Sequence, residues 1–162
     1  MLKSSDLARW IEKYAIRAEL ITLPVSTLTV EDAAQAMGTS PAQIVKSLLF
    51  LIDGKPVVAI ACGTSRIDRR SIAAYFGVGR KRVKLADAKT VLEVTGYPVG
   101  AVPPFGQRQS WPTLIDHRVL DHTEVYAGGG EIDTLLRVAP AEITRVTGAI
   151  ELDLLSPPIG DR

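Results

Sequence analysis

Ile44-Val45-Lys46-Ser47-Leu48-Leu49-Phe50-Leu51-Ile52-Asp53-Gly54-Lys55-Pro56-Val57-Val58-Ala59-Ile60-Ala61-Cys62 is the stretch on which the fold turns. Residues 44–52 are apolar except for Lys46 and Ser47, Asp53-Gly54 is a strong hairpin turn, and residues 57–62 supply the returning strand. Runs this apolar belong to strands covered on both faces, at the centre of a sheet. Pro56 sits beside the turn, where a missing N–H donor is tolerable.

Outward from this hairpin the pattern is mixed. Leu7, Trp10, Ile11, Tyr14 and Ala18 follow helical spacing, which predicts a helix over 5–18 capped by Ser4 or Ser5. A short strand is expected over 20–23. A second helix begins at Thr29, where Thr29 and Asp32 form a cap, and stops at Gly38. Ser40-Pro41-Ala42-Gln43 starts a brief helical turn. Helices are expected over 68–76, after Asp87 up to Gly96, and over 140–146; strands over 81–85, 112–116, 124–127 and 134–138. Hairpins and helices interleave without a regular strand–helix alternation, so the class is α+β with a mostly antiparallel or mixed sheet. One domain over 1–155, followed by a loose tail over 156–162, accounts for the length of 162 residues.

Composition excludes several classes. Apolar residues make up 46% and charged residues 23%, which fits a globular chain rather than a disordered one. No apolar run approaches the ~20 residues that span a bilayer. The start, Met1-Leu2-Lys3-Ser4-Ser5-Asp6, lacks a signal-peptide layout. The single cysteine, Cys62, cannot form an internal disulfide, so a reducing cytoplasm is the expected compartment. Cys62 itself reads as core. His117 and His122 stand five apart with no cysteine near them, and no metal or organic cofactor is expected. Gly128-Gly129-Gly130 lacks the lysine of a phosphate loop and reads as a turn between strands, and no Gly-x-Ser-x-Gly marks a serine esterase.

The net charge of +1 hides an asymmetry. Arg66, Arg69, Arg70, Arg80, Lys81, Arg82 and Lys84 face one acid, Asp68, whereas the chain from Asp116 onward is acidic. Such a segment is either a solvated face or a local attraction for phosphate.

Two places stand out chemically. Lys46 shares a strand face with Ile44, Leu48, Phe50 and Ile52, so its ammonium is either stripped of water or snorkels out from a strand end. Six of the eleven residues in Gly96-Tyr97-Pro98-Val99-Gly100-Ala101-Val102-Pro103-Pro104-Phe105-Gly106 are Gly or Pro. A stiff loop of that kind is either a structural turn or a set of backbone N–H groups poised for a carbonyl or oxyanion.

The run Ile44-Val45-Lys46-Ser47-Leu48-Leu49-Phe50, the segment Val83-Lys84-Leu85-Ala86-Asp87 and the loop from Thr95 to Gly106 together resemble the prolyl-tRNA synthetase editing-domain family, which includes free-standing YbaK-type deacylases. The resemblance covers about residues 20–146. It implies a mixed, barrel-like sheet surrounded by helices. It also implies a trans-acting hydrolase cleaving the ester between a wrong amino acid and the terminal adenosine of tRNA, usually proline tRNA. Lys46 matches the family's essential lysine, and Gly100 with Pro104 its Gly-x-x-x-Pro motif. The resemblance assigns Lys46, Gly100, Ala101 and Val102 to catalysis. Ser47, Pro103, Pro104, Phe105, Gly130 and Asp133 would contact the substrate. Arg66, Arg69, Arg70, Arg80, Lys81 and Arg82 would meet acceptor-stem phosphates, with prolyl-tRNA synthetase a further compatible partner. Asp133 falls where several relatives carry a histidine or another pocket residue, which leaves open whether cysteine, alanine, serine or threonine is removed. A non-catalytic tRNA-binding module and a small-ester hydrolase are the competing readings.

Overall fold

The computed structural model describes residues 1–24 and 29–155; the tail expected over 156–162 lies outside them. Two sheets carry the chain. The larger is built on the hairpin of β2 (Val45–Ile52) and β3 (Lys55–Cys62), paired antiparallel from Val45 opposite Cys62 to Ile52 opposite Lys55. Asp53 takes a positive φ of 51° and Gly54 one of 81° at the turn. On one side β2 pairs antiparallel with β4 (Val83–Leu85). On the other, β3 runs parallel to β5 (Thr113–Asp116), and β5 parallel to β8 (Ile150–Leu152). The smaller sheet is antiparallel, with β7 (Thr134–Val138) between β1 (Ala18–Thr22) and β6 (Val125–Gly128). A parallel bridge between Ile44 and Tyr126 joins the two sheets at the entrance to β2. Among the described residues the strands make two sheets, not a closed barrel, because β4 and β8 end the larger one unpaired. The mixed α+β class stands.

The centre of the larger sheet is covered on both faces, which is why its strands read as unbroken apolar runs. Val45, Leu49, Val58 and Ile60 belong to a core shared with the smaller sheet and with Leu7, Tyr97 and Phe105. Phe50, Ile52, Val57 and Ala59 belong to a second core under α3 (Arg69–Phe76), through Ile72 and Ala73. Each large aliphatic side chain enclosed this way contributes about 1.5–3 kcal/mol.

The helices follow their caps. Thr29 accepts the N–H of Asp32 at the start of α2 (Val30–Met37), and Asp87 accepts that of Thr90 at the start of α4 (Ala88–Thr95). Gly38, Gly77, Gly96 and Gly148 close α2, α3, α4 and α5 (Pro140–Thr147) in the left-handed conformation. The first helix departs from expectation. α1 spans Ser4–Lys13, not 5–18, and Ser4 lies inside it. Lys3 is the N-cap, its N–H donating to Asp6 at 2.8 Å. Ala15, at a φ of 50°, reverses the chain into β1.

Candidate active site

Lys46 lies one residue inside β2 on the face that carries Leu48, Phe50 and Ile52, as the alternation predicts. It is half-buried, and its Nζ donates to the carbonyl of Ser65. That carbonyl is delivered by the turn after β3, where the Gly63 N–H donates to Ile44 O at 2.6 Å and the Ser65 N–H to Cys62 O at 3.0 Å. Burial lowers the Lys46 pKa below the ordinary lysine value, with the charge of Cys62 acting in the other direction.

Lys46 opens onto a cleft of about 240 Å³. Val30 and Ala33 of α2, Ile44 and Leu48 around β2, Val99 and Leu135 make its walls apolar. Gly100 and Val102 line the same cleft, so the lone cation of β2 and the stiff loop meet. Gly100 has a φ of 89°, a region costly for any residue with a side chain. The Ala101 N–H is spent on Pro98 O at 3.1 Å, but the N–H groups of Gly100 and Val102 make no hydrogen bond to the described residues. The buried Ser47 hydroxyl also lines the cleft and has no hydrogen-bond partner among the described residues. Three unspent polar groups in an apolar cleft beside a partly desolvated ammonium can hold a carbonyl as it gains negative charge.

The remaining expected residues are distributed differently. Ala101 is fully buried, and its carbonyl accepts the Gly130 N–H at 2.9 Å. Pro103 is buried behind the loop, its carbonyl accepting from the Gln107 side chain at 3.0 Å. Phe105 packs into the shared core and stacks on Trp10, and with Pro104 it lines a separate cleft. Gly130 and Asp133 line a third, beside Leu2 and Pro98. The structure therefore brings Lys46, Ser47, Gly100 and Val102 together. Pro103, Pro104, Phe105, Gly130 and Asp133 lie outside that cleft.

Gly128 is among the cleft residues that the sequence assigned to no site. Gly128 ends β6, and a Cβ built there would lie 2.4 Å from Val102 O and 2.8 Å from Val102 C. Only glycine lets β6 support the loop so closely. Its sole signal in sequence was a place in a glycine run that reads as a plain turn.

The basic segment forms a groove of about 610 Å³ lined by Arg66, Arg69, Arg70, Arg80 and Lys81. Arg66 follows Ser65 directly, so the groove begins next to the carbonyl that holds Lys46. Arg70 is paired with Asp68 at 2.8 Å. Arg82 stands outside the groove, paired with Asp53 at the hairpin turn.

Residues 25–146 match the aminoacyl-tRNA editing domain family, and the chain belongs to it. It is 31% identical to the uncharacterized protein YwhH of Bacillus subtilis over 120 residues, 74% of each chain. Over 109 residues, 67% of this chain, it is 32% identical to the proline–tRNA ligase of Maridesulfovibrio salexigens, of which the match covers only 18%. Among solved structures, a proposed trans-editing enzyme for prolyl tRNA synthetase superposes with a TM-score of 0.88 at 32% identity, covering 94% of this chain and 96% of the other. Among the described residues no helix is long and apolar enough to cross a membrane.

Proposed function

We propose that the protein is a trans-acting hydrolase that removes a wrongly attached small amino acid from tRNA, with proline tRNA the carrier. The observation that carries this is the meeting of Lys46 with the unspent N–H groups of Gly100 and Val102 in one small apolar cleft. Membership of the editing family and the similarity to ligases specific for proline support it. The near-complete overlap with a proposed trans-editing enzyme supports action in trans.

In the reaction a water oxygen attacks the ester carbonyl carbon, and the carbonyl electron pair moves onto its oxygen. The Gly100 and Val102 N–H groups stabilise that oxyanion, at ~3 kcal/mol for one well-aimed donor. As the tetrahedral centre collapses, the ester C–O bond breaks and the water's proton passes to the ribose oxygen. The products are the free amino acid and tRNA with its hydroxyl restored. Lys46, turning from Ser65 O, contacts the terminal phosphate or the carbonyl side of the substrate and so positions the ester. Arg66, Arg69, Arg80 and Lys81 meet acceptor-stem phosphates and make affinity salt-dependent.

The competing reading, a tRNA-binding module without catalysis, is favoured by one observation. No carboxylate, imidazole or thiol is among the described residues lining the cleft, so no side chain is placed as general base. Proton transfer through the substrate's own hydroxyl answers this. Incubation with proline tRNAs mischarged with alanine, cysteine, serine or threonine decides between them. Release of at least one amino acid well above the spontaneous rate supports the hydrolase; binding of all four without release supports the module.

A further inference from the structure

Beyond Val102 the loop leaves the Lys46 cleft and, by Pro104, walls a second one of about 270 Å³. At most about 7 Å of chain separates the two residues. The second cleft is aromatic. Trp10 stacks on Phe105 with centroids 5.6 Å apart at 17°, Tyr14 leans on Trp10 at 4.7 Å, and Trp111 also lines the cleft. Tyr14 is 50% exposed, and the Trp111 indole N–H makes no hydrogen bond to the described residues. The rim is cationic: Arg108 lines the cleft and is exposed, and the Lys13 ammonium lies 5.3 Å from the Tyr14 ring centroid. Gln109 adds an amide edge, Gln107 its side-chain carbonyl while its amide nitrogen donates to Pro103 O, and no carboxylate is among the described residues lining the cleft. Helix α1, which supplies Trp10, and its C-cap Tyr14 precede the span matched by the editing family.

Flat rings for stacking, amide and indole groups for a ring edge, and positive charge for a backbone phosphate form the recognition set for an unpaired nucleobase. The volume fits one ring system. We propose that this cleft is a nucleobase subsite that takes an unpaired base of the tRNA acceptor end while the acyl group lies in the Lys46 cleft. The proposal rests on the hydrolase reading for its choice of strand, but the stacking site itself can be tested apart from catalysis.

Trp10 and Trp111 are the chain's two tryptophans, and both line this cleft, so intrinsic fluorescence reports on it. The probes are a short single-stranded RNA ending in CCA, the same strand with its last three bases removed but its phosphates kept, and free AMP and CMP. Saturable quenching by the CCA strand is expected. Tyr14→Ala should weaken it about tenfold, as loss of one stacking partner does, and the abasic strand should quench little. Trp111→Phe, which keeps a ring and removes the N–H, should weaken binding less than Tyr14→Ala. Equal affinity for the abasic strand, or no quenching, overturns the subsite. Equal affinity for the free mononucleotides overturns the assignment to a strand end. Quenching that persists where the native protein releases no amino acid would sink the hydrolase alone; release without quenching would sink the subsite alone.

Discussion

Gly128→Ala is the sharpest structural perturbation available. The added Cβ would stand 2.4 Å from Val102 O, 2.8 Å from Val102 C and 2.9 Å from Ala101 C. The nearest approach falls about 1 Å short of ordinary contact. All three atoms are backbone, so no rotamer change relieves the clash. β6 is held in register by β7, with Gly128 opposite Leu135. The yielding part is therefore the loop carrying Gly100 and Val102. Overpacking of this kind costs about 2 kcal/mol, a fall in Tm of roughly 4–8 °C for a chain of this size. A displacement near 1 Å at the reacting centre costs about 100-fold in rate. Thermal unfolding followed by circular dichroism and single-turnover release from a mischarged proline tRNA measure the two effects. Gly79→Ala is the control: its Cβ meets nothing within 4 Å, and its cost should stay within about 0.5 kcal/mol. A Gly128→Ala protein that melts and deacylates like the native one would refute the claim that β6 props the loop.

Lys46→Met should raise stability at neutral pH, because burial penalises the charged lysine. Lys46 binds its proton less tightly folded than unfolded, so the native protein gains stability as pH rises through the lowered pKa towards the ordinary one. The gap between the two proteins in urea midpoints should therefore shrink on going alkaline; a constant gap contradicts the burial argument. Replacing Arg66 and Arg80 together by glutamine should raise KM for mischarged tRNA and flatten its salt dependence with kcat unchanged, whereas an unaltered KM makes the groove a solvated face. Glu142, held at a pKa of about 2 first by Arg145 and then by the Arg17 N–H, stabilises the fold above the ordinary carboxylate range and ceases to as pH falls through about 2. Glu142→Gln should accordingly lower the Tm at neutral pH and match the native protein near pH 2, checked by thermal melts across that range.

The parts of the fold legible in sequence were those where a local rule has no competitor. The β2–β3 hairpin follows from two apolar runs around Asp53-Gly54, and α2 and α4 from Thr29 and Asp87 as caps with Gly38 and Gly96 as stops. α1 was overextended because Tyr14 and Ala18 keep the helical period while the chain turns at Ala15 without glycine or proline. β8 was missed because Ile150-Glu151-Leu152 is three residues at a sheet edge, held there by parallel pairing with distant β5. In the site, Lys46 was legible as the one cation on a strand face otherwise apolar. Gly128 was not, since its close approach to Val102 exists only in three dimensions. Phe105, expected from its place in the loop beside Lys46, instead stacks on Trp10 and lines the neighbouring aromatic cleft, a placement that only the packing of α1 on the loop determines.

The most direct test of the account is single-turnover release of amino acid from mischarged proline tRNA by Lys46→Ala, with tRNA affinity and Tm measured on the same preparation. Release should fall at least about 100-fold while the protein stays folded and still binds tRNA. Release at the native rate from a folded Lys46→Ala protein would contradict it.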